Sequence, residues 1–486
     1  MKLKHYINGK WTDSSATEFY DVINPASEEL LARTPLGTKA EVDAAVDAAS
    51  QAYAHWKKTP VIDRIQPFFR LKSLMEKDFD LLAAEITKEH GKTLLESKGS
   101  VRRAIQMVET ATSMPSLIMG EFQEDIAQSI DSHSVKQSMG VFAGIAPFNF
   151  PAMVPYWFWP FAVAAGNTYV LKPSERVPLT QILLTKLVEK AGFPPGVLNI
   201  VHGGKEVVNA LCTHPSVKGV SFVGSTEVAK YVYKTSASHY KRVQSLGGAK
   251  NFMVILKDAH LEKAVDTALD SIIGCAGERC LAGSVIISIG QDVAQKVAEK
   301  MQERVKSIRI GDGMDPTTQM GPLISQAAKE RICNMIDNAV KQGAELVIDG
   351  RIGVENMRGY FLKPTVLANI HKDQKIAQEE VFGPVICLAT ANSLDQAIEW
   401  INSSRYANTT TLFTTSGAAA RKFRYEVHPG MVGINIGVPA PMSFFSFGGA
   451  KESFFGDIKV HGKASVDFFT DKKVTIERWS KGSSIW

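Results

Sequence analysis

Val217-Lys218-Gly219-Val220-Ser221-Phe222-Val223-Gly224-Ser225-Thr226-Glu227 is the stretch from which the fold can be read outward. A β-rich run ends in Gly-Ser-Thr and gives way to the amphipathic pattern of 227–236, which predicts a strand feeding directly into a helix. Such a junction leaves backbone N–H groups free at the positive end of the helix, a seat for a phosphate or pyrophosphate. A plain capped helix after a strand is the bland alternative. No GxGxxG accompanies the junction, so the ordinary dinucleotide fingerprint is missing. Upstream, 141–145, 168–171 and 197–201 read as strands, with helices over 181–191 and 205–213. This alternation predicts a mostly parallel α/β sheet. A second α/β series begins near Asn251, with strands at 252–256 and 284–289 and a long helix at 292–307.

Outside these series the pattern differs. Asn8-Gly9 between Tyr6-Ile7 and Lys10-Trp11 predicts a hairpin. Thr38 and Glu41 are spaced as a capping box, predicting a helix over 38–57, and helical patterns continue to about Met119. Residues 121–140 are polar with a weak strand period. The tail over 460–476 alternates, with Val466, Phe468, Val474 and Ile476 apolar, and is expected to pair with another subunit.

Composition narrows the function class. The chain has 486 residues, 45% hydrophobic and 22% charged, with a net charge of +5, and no basic run that would suit a nucleic acid. Its five cysteines are odd in number and form no CxxC pair, so neither a disulfide framework nor a metal site is expected and a reducing compartment fits best. The N-terminal residues lack an apolar signal region, and 151–166, the most apolar stretch, is short and broken by Pro151, Pro155 and Pro160. A cytoplasmic protein is expected.

Four further segments carry chemistry. In Gly274-Cys275-Ala276-Gly277-Glu278-Arg279-Cys280-Leu281-Ala282-Gly283, Cys280 follows a cation that favours its thiolate, which can attack a carbonyl. The alternative, a small buried hydrophobe, is applied to Cys212, Cys333, Cys387 and, less firmly, Cys275. In Ala146-Pro147-Phe148-Asn149-Phe150-Pro151, an amide held between aromatics and prolines can donate to a developing oxyanion. Lys172-Pro173-Ser174-Glu175-Arg176 stands at the carboxyl end of a strand, where Lys172 and Glu175 could bond ribose hydroxyls; alone, it reads equally as a solvated loop. Glu379-Glu380-Val381-Phe382-Gly383-Pro384 puts a carboxylate and a ring on a tight loop, which is either a grip on a nicotinamide ribose or a turn.

Together and in this order, Pro-Phe-Asn-Phe-Pro, Lys-Pro-Ser-Glu, Phe-Val-Gly-Ser-Thr, Gly-Glu-Arg-Cys and Glu-Glu-Val-Phe-Gly-Pro resemble the motif series of the aldehyde dehydrogenase superfamily, over nearly the whole chain. The resemblance implies an α/β fold with a Rossmann-like NAD-binding domain (1–120 and 141–250), an α/β catalytic domain (251–445) and a small β oligomerisation element (121–140 and 460–486), assembled as a homodimer or homotetramer. It implies Cys280 as nucleophile and Asn149 as oxyanion donor. The cofactor positions it implies are Ala146, Phe148, Lys172, Glu175, Arg176, Gly224, Ser225, Gly247, Glu380 and Phe382, for NAD.

One departure points to a branch. The superfamily usually carries Glu-Leu-Gly-Gly-Lys, whose Glu activates the hydrolytic water. Here Ser245-Leu246-Gly247-Gly248-Ala249-Lys250-Asn251 sets Leu246 in that place, and leucine cannot take a proton. Transfer of the acyl group to another thiol does not need that base. The chain is similar to the CoA-acylating methylmalonate-semialdehyde (malonate-semialdehyde) dehydrogenase branch, through Met153-Val154-Pro155, Arg242-Val243-Gln244 and Phe444-Phe445-Ser446-Phe447-Gly448-Gly449. That similarity implies coenzyme A as co-substrate and a small semialdehyde bearing a carboxylate, bound by Arg103 and Arg279, since an arginine fork fits a carboxylate. On spacing alone Arg102 and Arg103 read as a solvated helix face. Glu278 and Gly283 depart from the branch's usual Gln and Leu. A hydrolytic aldehyde dehydrogenase and a non-catalytic protein retaining the fold are the alternatives.

Overall fold

The computed structural model describes residues 1–479. Its frame is two twisted sheets joined by one short crossing. The first has eight strands, in the order Lys10–Thr12, His5–Ile7, Leu198–Ile200, Thr168–Lys172, Val141–Ile145, Val217–Val223, Arg242–Leu246 and Phe454–Phe455. The five from Leu198–Ile200 to Arg242–Leu246 run parallel. They are apolar on both faces because helices cover both. Phe142, Tyr169 and Leu171 point into one cluster, while Val141, Ala143, Ile145 and Val170 point into the other.

The order of this sheet places a ligand crevice. From Val141–Ile145 the chain steps outward through Thr168–Lys172 to Leu198–Ile200, then returns to lay Val217–Val223 on the other side of Val141–Ile145. The sheet therefore reverses direction between the ends of Val141–Ile145 and Val217–Val223, and such a switch point opens a crevice at the carboxyl ends of its strands.

The second sheet has seven strands, in the order Glu345–Ile348, Thr365–Ala368, Val385–Ala391, Val285–Ile289, Phe252–Ile255, Thr409–Phe413 and Met431–Ile434. All but Glu345–Ile348 pair in parallel. Arg242–Leu246 of the first sheet leads through five residues into Phe252–Ile255 of the second.

Local rules account for the ends of the elements. Asn8 and Gly9 both adopt positive φ, at 51° and 74°, as a two-residue hairpin turn with the twist of its strands requires. The helices Lys39–Trp56 and Leu94–Ala111 each begin with a capping box, Thr38 with Glu41 and Thr93 with Glu96. The strands predicted at 141–145 and 217–223 and the helix at 205–213 have the predicted bounds; the others differ by a few residues at an end.

The tail departs from its predicted course. Its first half, Gly462–Phe469, is a helix with Val466, Phe468 and Phe469 in the core beside Phe142. Phe468 and Phe469 are thus buried together by a helix, which a period-2 reading cannot describe. The second half, Thr470–Glu477, is a strand, but it pairs within the chain, antiparallel to Ile130–Ser138, which in turn pairs with Glu121–Ala127. Residues 480–486, part of the expected oligomerisation element, lie outside the described residues. No helix among the described residues is long and apolar enough to cross a membrane.

Candidate active site

The carboxyl edge of the first sheet faces the amino edge of the second, and the segments singled out in the sequence gather there. Ala146–Asn149 follow the strand Val141–Ile145, and Gly224-Ser225 follow Val217–Val223. From the second sheet, 274–283 lead into Val285–Ile289 and 379–384 into Val385–Ala391. These last two loops touch: a Cβ on Gly277 (φ 77°) would lie 2.2 Å from the carbonyl of Gly383, so only glycine fits that turn.

Cys280 is partly exposed, and its main chain is held firmly. Its carbonyl accepts from Asn251 Nδ2 at 2.9 Å and from Asn408 Nδ2 at 2.9 Å. Asn251 Nδ2 also reaches the carbonyl of Ala282 at 3.0 Å, and its Oδ1 accepts from Thr409 N at 3.1 Å. Neither asparagine was singled out in the sequence. Their signal was their place just before a strand, which becomes meaningful only once three strand starts are seen side by side. The sulfur packs against the apolar cluster that includes Leu246, Val223 and Phe454. Leu246 is buried, at 5% exposure, and ends its strand opposite Phe454. No carboxylate therefore comes from this position.

The expected effect of Arg279 on the thiol is corrected by the structure. Burial pushes the Cys280 thiol up to about 12, the nearby Glu380 carboxyl adds to this, and Arg279 offsets only part of it. The guanidinium meets other partners, with Nη2 3.8 Å from Cys275 Sγ and 3.9 Å from Glu96 Oε1. A strained turn makes this possible, with non-glycine Cys275 and Ala276 at φ 54° and 52°.

Asn149 is buried; its Nδ2 donates to the carbonyl of Glu278 at 2.9 Å, and its own carbonyl accepts from Lys92 Nζ at 2.5 Å. Its amide thus sits one residue from the Arg279-Cys280 pair. Glu278 is fully buried and burial raises its carboxyl to about 8, so near neutral pH it is an uncharged acid. A neutral Glu resembles Gln in size and donor-acceptor character, which accounts for the departure at this position. Gly283 is likewise explained: Met253 Cε lies 2.1 Å from where its Cβ would be.

The remaining residues form the rim. Lys172 Nζ meets Glu175 Oε2 at 2.6 Å; burial opposes the charge on Glu175, but Lys172 beside it holds the carboxyl below its usual range. The Ala146 N–H donates to the Lys172 carbonyl at 3.0 Å, joining the two loops. Phe148 lies against Phe382 and under the Arg176 guanidinium. Ser225 is exposed at the start of the helix Thr226–Ser238, and with Glu380 it lines a cleft of about 890 Å³. Glu380 Oε1 accepts from Ala249 N at 3.0 Å, and burial raises its carboxyl to about 7, against the pull of that N–H, Lys250 and Arg331. Gly247 lets the crossing pass Glu452, whose carbonyl would stand 2.6 Å from a Cβ there. Arg331, also missed in the sequence, reaches the Phe382 carbonyl at 3.5 Å.

Arg103 lies on the helix Leu94–Ala111, whose first turn carries Glu96 beside the Cys275 backbone, and its own bonds run to its helix and to 441–442. It is half-buried, and Nη1 meets only neutral acceptors: Gln106 Oε1 at 3.3 Å, the Pro441 carbonyl at 3.5 Å and Met442 Sδ at 3.3 Å. Arg102, one residue before it, is exposed and near Glu76 and Glu109, the solvated face the spacing suggests.

The aldehyde dehydrogenase family model matches residues 11–475. The chain belongs to the aldehyde dehydrogenase family. Within it, the chain is 46% identical over 478 residues to a malonate-semialdehyde dehydrogenase of Halalkalibacterium halodurans, covering 98% of each. Among solved structures, the methylmalonate-semialdehyde dehydrogenase of Oceanimonas doudoroffii superposes with a TM-score of 0.97 at 39% identity, covering 99% of each chain. A Sinorhizobium meliloti family member in complex with NAD superposes equally well, with a TM-score of 0.97 at 38% identity and 99% of each chain covered.

Proposed function

We propose that this family member is an NAD-dependent, CoA-acylating dehydrogenase of malonate semialdehyde and methylmalonate semialdehyde, yielding acetyl-CoA or propionyl-CoA with release of carbon dioxide. The observation that carries the CoA reading is Leu246: a buried apolar side chain, in the same cluster that Cys280 packs against, stands at the sequence position where a hydrolytic relative would hold its base. That the chain's relatives include a malonate-semialdehyde and a methylmalonate-semialdehyde dehydrogenase supports the semialdehyde substrate.

The residues at the switch point suit a dinucleotide. The start of the helix Thr226–Ser238 opens into the cleft, and Ser225 makes no side-chain cap bond that would occupy its hydroxyl. The Lys172–Glu175 pair stands at the end of the strand Thr168–Lys172 on the same sheet edge and Glu380 lines the cleft, each suited to ribose hydroxyls. Ala146, Phe148, Arg176, Gly224, Gly247 and Phe382 are the further cofactor positions of this reading. NAD, when bound, supplies the hydride acceptor.

The chain's own residues do the rest. Cys280, as thiolate, attacks the aldehyde carbon and forms a C–S bond. Asn149 Nδ2 leaves the Glu278 carbonyl and, with the Cys280 backbone N–H, receives the oxyanion. After loss of hydride, the acyl group remains on the sulfur as a thioester; its carboxylate then leaves as carbon dioxide, the electron pair of the broken C–C bond passing to the α-carbon beside the thioester carbonyl, which takes up a proton. Leu246 offers water no base, so a CoA thiol, the better nucleophile near neutral pH, takes the acyl group and Cys280 leaves as thiolate. Arg103 and Arg279 bind the substrate carboxylate. Five free cysteines fit a reducing, cytoplasmic setting, and the strand Glu121–Ala127, exposed throughout, fits subunit pairing in a dimer or tetramer.

The test is NADH formation from malonate semialdehyde with and without CoA, with the products identified. Strong CoA dependence with acetyl-CoA as product is expected. Turnover to a free acid without CoA would keep the dehydrogenase and overturn the acylating reading.

A further inference from the structure

Arg279 precedes the nucleophile in the chain and its charge reaches Cys280, yet its guanidinium meets Cys275 and Glu96. It folds back over Gly274, where a Cβ would lie 2.4 Å from Nη2. It is held there by Glu96, whose Oε1 lies 3.9 Å from Nη2 and also accepts from Cys275 N at 2.5 Å. Both side chains are mostly buried, at 20% and 16% exposure, so their attraction is only partly screened. Glu96 Oε2 meanwhile accepts from Thr93 N and Thr93 Oγ1, both at 2.9 Å, which fixes the carboxylate at the start of the helix that carries Arg103. One carboxylate thus ties that helix to the nucleophile loop and stands against the charge of Arg279.

We propose that Glu96 is a positioning residue that restrains Arg279, sharing its charge and keeping it off both the Cys280 sulfur and the substrate carboxylate until that carboxylate competes for it. This rests on the roles given above to Cys280 and Arg279. The other groups around the pair are few. Cys275 lies on the same guanidinium, Asp270 on the preceding helix feels it at longer range, and Glu380 faces Cys280 from the opposite loop. Of these, Glu96 alone is a carboxylate within ion-pair distance of Arg279.

Glu96→Gln removes the charge and one of two acceptor oxygens, since Oε1 takes Cys275 N while Oε2 takes Thr93 N and Thr93 Oγ1. The Gln oxygen set toward Thr93 N keeps the capping box and gives up the bond from Cys275 N. Loosening of the loop by that lost bond would move KM for both aldehydes together, whereas the charge acts only on the one that bears a carboxylate. The rate at which iodoacetamide alkylates Cys280, followed on the peptide containing it, should rise about tenfold per pH unit between pH 7 and 9 in both proteins, because burial holds the thiol above that range. In the variant it should be about two- to threefold faster at each pH, since Arg279 then acts on the thiol uncompensated. KM for malonate semialdehyde should fall about threefold and KM for propanal should stay unchanged. An unchanged or slower alkylation rate, or equal KM changes for the two aldehydes, would overturn the restraint. Alkylation of Cys280 that left NADH production intact would instead remove the role of Cys280 on which the proposal stands.

Discussion

Two cysteines five residues apart in one loop have been given opposite roles. Cys275 is 1% exposed and has a guanidinium 3.8 Å from its sulfur. Cys280 has its sulfur pushed up to about 12, yet it is the more exposed of the two and its carbonyl is held by two asparagines. The difference teaches that a guanidinium close to a sulfur in space is not what marks the proposed nucleophile. What Cys280 has and Cys275 lacks is exposure, with the Asn149 amide one residue away. Replacing each cysteine by Ala breaks or keeps this comparison with the largest effect. Cys280→Ala should lower NADH production by about 10⁴-fold or more, and Cys275→Ala should stay within about fivefold of the parent. Comparable losses in both would mean that the guanidinium-bound sulfur takes part in the chemistry.

Much of this arrangement was legible in the residues, for reasons that separate local from distant effects. Strand-helix alternation over 141–236 is local, and so are the Asn8-Gly9 turn and the Thr38–Glu41 capping box, and these elements stand where the pattern puts them. The tail was misread at Gly462–Phe469 because its burial comes from packing on Phe142, far away in sequence. The motif loops were legible as a set, and the two edges of the sheets bring them together. The direction of Arg279 was not, because Cys275 and Ala276 take left-handed backbone that nothing in Gly-Cys-Ala-Gly announces, and because Glu96 is 183 positions from Arg279 along the chain. Asn251 and Asn408 were missed for the same kind of reason.

The second contrast lies in what each loop offers a negative oxygen. Near Cys275 the backbone N–H is already taken by Glu96, whereas Asn149 Nδ2 gives its bond to a neutral carbonyl, from which it can be drawn by an anion. Asn149→Ala should therefore cost about 10²- to 10³-fold in kcat, the usual loss for one oxyanion donor, with KM changed far less. A variant that loses only substrate affinity would show that the amide holds the Glu278 carbonyl and never turns to the reacting oxygen.

The smallest effect concerns how the nucleophile is held. Asn251 serves three partners, the carbonyls of Cys280 and Ala282 and the N–H of Thr409, while Asn408 Nδ2 serves the Cys280 carbonyl. If they only stabilise the fold, both substitutions by Ala should lower Tm and leave kcat alone. If they aim the sulfur, kcat should fall even where stability hardly changes. Asn408→Ala is the cleaner probe, because the Cys280 carbonyl keeps Asn251 and the stability cost is about 1 kcal/mol. We expect kcat to fall about threefold to tenfold, because small displacements of a reacting atom are costly, while the Cys275 side of the loop, anchored on Glu96, keeps its structure. Asn251→Ala should add about 1–3 kcal/mol of destabilisation for the partners left buried without it. Unchanged kcat in folded Asn408→Ala would mean that one asparagine is enough to aim the sulfur, and that the two loop ends differ in exposure but not in how firmly they are held.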